Sequence, residues 1–338
     1  MMLPRIDVLI PFHKLDEHLL DAIASCQKSI GVNLRIICIN DSGDVIKHSQ
    51  LGLGDNDLLI CTNGKNGYRE AINLGIQAST ATYVGFLDSD DLTSNDRYAR
   101  QVNALLSNDL EISTCRVVKM SNAGRELNEF FSLPKPPQFA SAELSILFGA
   151  YGSDSTLVCS GDFIRSTWEI HRYFPAHLAD YGWLMRASLG KKIHFESSVK
   201  YYYRMHEGQM SRNTNTVEDW KALYPYWKEW LKNLNQLPKT SQLEISSNVA
   251  LLLAFPSTLI KLTKAEKNEL VRFCKSFQIE ARTDDRNSQK AWKDLIDLRL
   301  LIGTRSIRYA KPCLLIKITV RALTSISTSN SFRKSTND

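Results

Sequence analysis

Tyr83-Val84-Gly85-Phe86-Leu87-Asp88-Ser89-Asp90-Asp91 runs a short apolar stretch straight into three carboxylates within four positions. An apolar run of this length, bounded by turn residues, reads as a strand buried on both faces. Three earlier runs are of the same kind: Ile6 to Ile10, Leu34 to Ile39 and Leu58 to Cys61. Between them, Leu15 to Ile30, Tyr68 to Ala78 and Asn95 to Leu106 space their apolar residues as helices do. Strand–helix alternation predicts an α/β fold, a mostly parallel sheet flanked by helices.

Each strand runs into a polar or glycine-rich segment. Pro11-Phe12-His13 comes after the first, Asn40-Asp41-Ser42-Gly43-Asp44 after the second, Thr62-Asn63-Gly64-Lys65-Asn66-Gly67 after the third and the Asp triplet after the fourth. In an open α/β sheet, ligands bind outside the carboxyl ends of the strands. Three crowded carboxylates repel one another, which raises their proton affinity unless a cation sits among them. Hard divalent cations such as Mg2+ and Mn2+ take oxygen ligands, with one or two carboxylates beside substrate phosphates. A solvated turn whose Asp residues cap the next helix is the plain alternative for the triplet alone. Its place after a buried strand, beside Asp41 and a glycine-rich loop, favours a binding site. The first strand–helix turn, PFHKLDE, lacks the glycines a dinucleotide pyrophosphate needs, which argues against an oxidoreductase of that class. A glycoside hydrolase could use paired carboxylates, but would leave the nucleotide-like loops without a role.

The remaining chain sets bounds. With 338 residues, 43% hydrophobic and 23% charged, it is long enough for two domains and has an ordinary globular composition. Seven scattered cysteines form no CxxC pair, so free thiols in a reducing compartment are expected. The N-terminal apolar stretch is too short for a signal peptide, and no run is long enough to span a membrane. Of the net +6, residues 298–338 alone carry +7 and the other 297 residues carry −1. A main body without basic excess speaks against nucleic acid as the partner. The interleaved apolar and basic residues of 298–327 read either as a helical packing element with a solvated basic face or as attachment to an anionic membrane surface. Val217 to Leu234 has one apolar stripe and reads as an amphipathic helix, and 264–278 and 288–302 are also helix-like.

Several motifs in order resemble the family-2 glycosyltransferases of GT-A fold. They are Ile10-Pro11, Asn40-Asp41-Ser42-Gly43-Asp44, Ala71-Ile72-Asn73-Leu74-Gly75-Ile76, and Phe86-Leu87-Asp88-Ser89-Asp90-Asp91. Two late ones are Asp180-Tyr181-Gly182-Trp183-Leu184-Met185-Arg186 and Tyr202-Tyr203-Arg204-Met205-His206-Glu207-Gly208-Gln209-Met210-Ser211. The resemblance implies a catalytic domain over 1–215 and leaves 216–338 as a helical C-terminal region with a basic tail. It implies inverting transfer of a hexosyl or N-acetylhexosaminyl group from a nucleotide-diphosphate sugar, a UDP-sugar by preference, to an acceptor hydroxyl. It further implies that Asp41 binds the nucleotide base, Asp88 the ribose or donor sugar, and Pro11, Lys65 and Arg69 the nucleotide and diphosphate. Asp90 and His206 would hold Mn2+ or Mg2+, and Asp180 would be the catalytic base. The implied setting is cell-surface polysaccharide or lipopolysaccharide synthesis in the cytoplasm, peripheral at the membrane's inner face, on a glycan or lipid-linked acceptor. Ala179 stands where the family usually has Glu, Asn40 replaces a common Asp, and His13-Lys14 depart from a usual aromatic-Asn pair. Ala179 supports the alternative of an impaired nucleotide-sugar-binding assembly partner. Trp183, Leu184 and the Tyr201-Tyr202-Tyr203 run read as core or strand.

Overall fold

The computed structural model describes residues 3–62, 64, 67–130, 139–141, 154–169, 179–188 and 190–208. The helices expected beyond residue 216, the boundary near 215 and the basic tail lie outside the described residues, as does Lys65. The first half follows the alternation read from the sequence. It comprises β1 (Arg5–Phe12), α1 (Glu17–Gln27), β2 (Asn33–Asn40), β3 (Leu58–Cys61), α2 (Tyr68–Ala78), β4 (Tyr83–Phe86), β5 (Leu92–Thr93) and α3 (Arg97–Asn108). The second half adds β6 (Ile112–Ser121), β7 (Glu126–Phe130), β8 (Phe139–Ser141), β9 (Val158–Ser160), α4 (Gly161–Thr167), α5 (Ala179–Ala187) and β10 (Lys192–Met205).

The strands form one sheet in the order β3-β2-β1-β4-β9-β6-β10-β5, with β7 beside β6 and β8 beside β10. The β3-β2-β1-β4 portion is parallel throughout. Beyond β4 the sheet is mixed: β9 runs antiparallel to both β4 and β6, while β6 and β10 are parallel. The parallel portion has continuous apolar strands because helices cover both of its faces. Ile6, Val8, Leu9 and Ile10 of β1 are all fully buried, as are Ile37, Cys38 and Ile39 of β2. The side chain of Asp16 accepts the Leu19 N–H and caps α1, whose Leu19, Ala22, Ile23 and Cys26 face the core.

Two details shape β1 and β4 towards the carboxyl edge. Leu9 is the last β1 residue in register with β4, and its carbonyl receives the Leu87 N–H. The carbonyl of Phe12 meets β2's side, at the Asp41 N–H. By alternation Pro11 faces the β4 side, where that ladder has already ended, so its missing N–H leaves no bond unmade. The second detail is Gly85: a Cβ there would sit 2.8 Å from the Tyr98 ring, so only glycine lets α3 close on β4.

At the opposite edge, buried Asp7 is gripped by Arg35, whose Nε and Nη2 lie 2.8 and 2.6 Å from its two oxygens. Ser79 Oγ and the backbone N–H groups of Thr80 and Ala81 donate to the same carboxylate. This ties β1, β2 and the turn after α2 together where no ligand is expected.

Candidate functional site

The register places Phe12 beside Asn40 and Asn40 beside Cys61, so the ends of β1, β2 and β3 share one edge with Asp88 after β4. Asn40 is buried, and its side chain builds the β2 loop. Its Oδ1 accepts from the Ser42 N–H and hydroxyl at 3.0 and 2.7 Å, and its Nδ2 donates to the Asp44 carbonyl. Asp41 is freed from that task. Its carboxylate accepts from the Thr62 hydroxyl and from the Gly67 N–H at 2.8 Å, which spans the loop after β3. Gly64 has φ +76, and a Cβ on it would lie 2.8 Å from the Gly43 Cα, so the two loops touch backbone to backbone. Pro11 is buried in β1, and Arg69 is half-buried in the first turn of α2.

The Asp triplet divides by direction. Asp91 points inward and is buried, taking the Arg204 N–H at 2.7 Å and the Tyr201 hydroxyl. It is a structural anchor for the end of β10. Asp88 and Asp90 are half-buried. His206 Nε2 lies 2.7 Å from Asp90 Oδ2, so the late histidine reaches the triplet. The ring of His18, from the first turn of α1, stands 5.8 Å from that of His206. Arg204 is buried and binds the loop from below, with Nε on the Asp90 carbonyl at 2.7 Å and Nη1 on the Asn122 carbonyl.

Asp180 lies in the first turn of α5, half-buried, within the helix and not at its cap. Trp183 and Leu184 behind it are fully buried core residues, as expected. Asp180 and Asp88 act on a third carboxylate that the sequence reading missed. Asp154 opens a 3-10 turn, Asp154–Thr156, all of it buried. It accepts the Tyr68 hydroxyl and the Ser155 N–H. Tyr201 was read as strand or core; it is both, yet its hydroxyl also contacts Asp88, at 3.3 Å. Neither residue lies in a recognisable motif. A fully apolar-looking strand YYY and an isolated Asp in GSDST carry no local signal for a site.

The electrostatics have one sign. Burial, then the Asp90 charge, pushes Asp88 up to about 7. Burial, followed by Asp90 and Asp88, raises Asp91 well above the usual carboxylate range. Burial and the charges of Asp180 and Asp88 do the same to Asp154. Ligand atoms of Asp88, Asp90 and Asp91 all lie within 4.8 Å of one another. Carboxylates this close, with the His206 imidazole beside Asp90, are a donor set that fits a hard or borderline divalent cation. With Asp91 occupied inward, Asp88, Asp90 and His206 remain to face it.

The profile of "Glycosyl transferase family 2" matches residues 7–174, and that segment belongs to glycosyltransferase family 2. An uncharacterized glycosyltransferase of Bacillus subtilis, EpsJ, is 26% identical over 129 residues, 37% of this chain and 37% of its own. An uncharacterized glycosyltransferase of Haemophilus influenzae is 31% identical over 115 residues, covering 32% of this chain and 46% of its own. The chain thus spans less than half the length of these two curated relatives. S. aureus TarS residues 1–349, solved in complex with UDP-GlcNAc, superposes with a TM-score of 0.56 at 14% identity, covering 88% of this chain and 89% of that one. That likeness establishes the fold, GT-A as the sequence implied. Among the described residues no helix is long and apolar enough to cross a membrane.

Proposed function

We propose that the protein transfers a sugar from a nucleotide-diphosphate donor, a UDP-sugar, to an acceptor hydroxyl with inversion. The observation that carries this is the meeting of Asp41, Asp88, and the Asp90–His206 pair at one sheet edge, the two members of that pair lying 116 residues apart in the chain. The likeness to TarS, solved with UDP and with UDP-GlcNAc, supports a uridine donor. Asp41 accepts a hydrogen bond from the base, in a loop shaped by Asn40 and braced by Gly67. Pro11 lines that end, and Lys65 and Arg69 answer the diphosphate charge. Asp88 takes hydroxyls of the ribose or donor sugar. Asp90 and His206 hold Mg2+ or Mn2+, which when bound offsets charge on the departing diphosphate. Asp180 accepts the acceptor hydroxyl's proton as that oxygen attacks the anomeric carbon from the face opposite the leaving group. The acceptor is a glycan or lipid-linked glycan of the cell surface, and the basic 298–327 segment holds the enzyme at an anionic membrane.

Calorimetric titration with UDP, GDP and their sugar conjugates, in Mn2+ and in EDTA, tests the donor half. Metal-dependent UDP binding that is lost in Asp90→Ala and kept in Asp180→Ala supports the roles given. Sugar transfer abolished in Asp180→Ala tests the base. Binding without turnover by the wild type on any glycan acceptor would favour the assembly-partner reading that Ala179 raised.

A further inference from the structure

Arg97 is fully buried at the start of α3, and no ion pair with a carboxylate forms there among the described residues. Burying an unpaired guanidinium costs several kcal/mol even after relaxation. Packing alone would be met more cheaply by an apolar side chain of similar length. Its planar fork is nevertheless used. Nε donates to Gln101 Oε1 at 2.9 Å, and Nη2 donates to the Ser155 carbonyl at 2.7 Å. Gln101 in turn donates through Nε2 to the next carbonyl, Thr156, at 3.1 Å. Two side chains one turn apart on α3 therefore hold two successive carbonyls of the 154–156 turn. Nη1 is left without a hydrogen-bond partner. Above the plane, the guanidinium carbon lies 5.2 Å from the centre of the Tyr201 ring.

These contacts converge on one carboxylate. Asp88 accepts from the Ser155 hydroxyl and lies 3.3 Å from the Tyr201 hydroxyl, which it shares with Asp91. Ser155 is the residue whose carbonyl Arg97 grips, and Tyr201 is the ring Arg97 underlies. A cation against a phenol ring also draws electron density from it and makes its O–H a better donor. We propose that Arg97 is a positioning residue for Asp88: one buried guanidinium fixes both hydroxyls that aim this carboxylate at the donor. The proposal rests on the reading of Asp88 as a donor contact. Arg97 itself touches no substrate.

The test uses the full chain carrying Arg97→Lys, which keeps the charge and loses the fork. Arg97→Met, neutral and of similar length, covers the case in which the lysine variant fails to fold. The first readout is a ligand-free crystal structure of a folded variant, which requires no activity. Asp88 displaced from Ser155 and Tyr201 supports the proposal, and Asp88 unmoved overturns it. The second readout is kinetic. Losing the aim of one charged contact raises the donor KM about tenfold, with the acceptor KM unchanged. A purely structural role would instead lower the melting temperature and kcat and leave the donor KM as it was. If Asp88 moves while the wild type takes up no nucleotide sugar, the positioning stands and the donor reading falls.

Discussion

Mn2+ binding should release a countable fraction of a proton, and Asp88 should be its source. In the metal-free protein, burial first and the Asp90 charge second push Asp88 up to about 7. A cation held by Asp90 and His206 favours the ionised form of Asp88. At pH 7, then, binding displaces about half a proton from this group. On the acid side the proton competes. Asp88 alone makes the apparent affinity fall about tenfold between pH 8 and pH 6. The stability of the metal-free protein carries the same signature with its sign fixed. Asp88 binds its proton more tightly folded than unfolded, so the native state is favoured as pH falls from about 7 toward about 4, and disfavoured above. Isothermal titration of Mn2+ in two buffers of different ionisation enthalpy counts the protons directly. Asp88→Asn is the control, removing the titrating group with little change of shape. The reasoning is refuted if wild type and Asp88→Asn release the same number of protons at pH 7 and share one pH dependence.

Three further outcomes are expected from the geometry. Asp7→Asn should lower stability by about 3 kcal/mol in chemical denaturation, since it strips the charge that Arg35 faces at 2.6 Å. Burial alone would raise Asp7, but the Arg35 and Ser79 hydrogen bonds hold it below its ordinary value, so its contribution is present above about pH 4 and disappears in more acid solution in the wild type only. Gly64→Ala should weaken nucleotide binding at least tenfold with a small change in melting temperature, because φ +76 and the Gly43 backbone leave no place for a Cβ. Asp154→Asn should leave the acid limb of the kcat profile in place and donor KM within about twofold, because burial and the neighbouring charges raise Asp154 so far that it is already uncharged in acid solution.

The features that the sequence determined by itself are those whose cause is local. β1 to β4 were legible because each is a short apolar run, and burial on both faces of a parallel sheet requires such runs. Asp41, Asp88 and Asp90 were legible because polar loops after those runs must fall on one edge. Asp180 and His206 were legible only through motifs shared with a family. The mixed half of the sheet was not, because β9 is three residues long and β10 shifts register against β6 between Glu196 and Lys200, with β8 on its other side before the shift and β5 after it. Strands that short, or that switch partners, owe their pairing to the surface already formed.

The division of the Asp triplet was decided only in three dimensions. Nothing in Asp88-Ser89-Asp90-Asp91 says which carboxylate turns inward; the arrival of Tyr201 and Arg204, 110 or more residues later, takes Asp91 for the core. Asp154 gains its meaning in the same way, from Tyr68, 86 residues before it. Arg97 belongs to no motif in the sequence, and the fold seals it beneath Tyr201. Apolar burial is set by a residue's own side chain and near neighbours, so sequence records it. Hydrogen bonds and charge in a low-dielectric interior depend on what the fold brings within about 3 Å, and that distance has no counterpart along the chain.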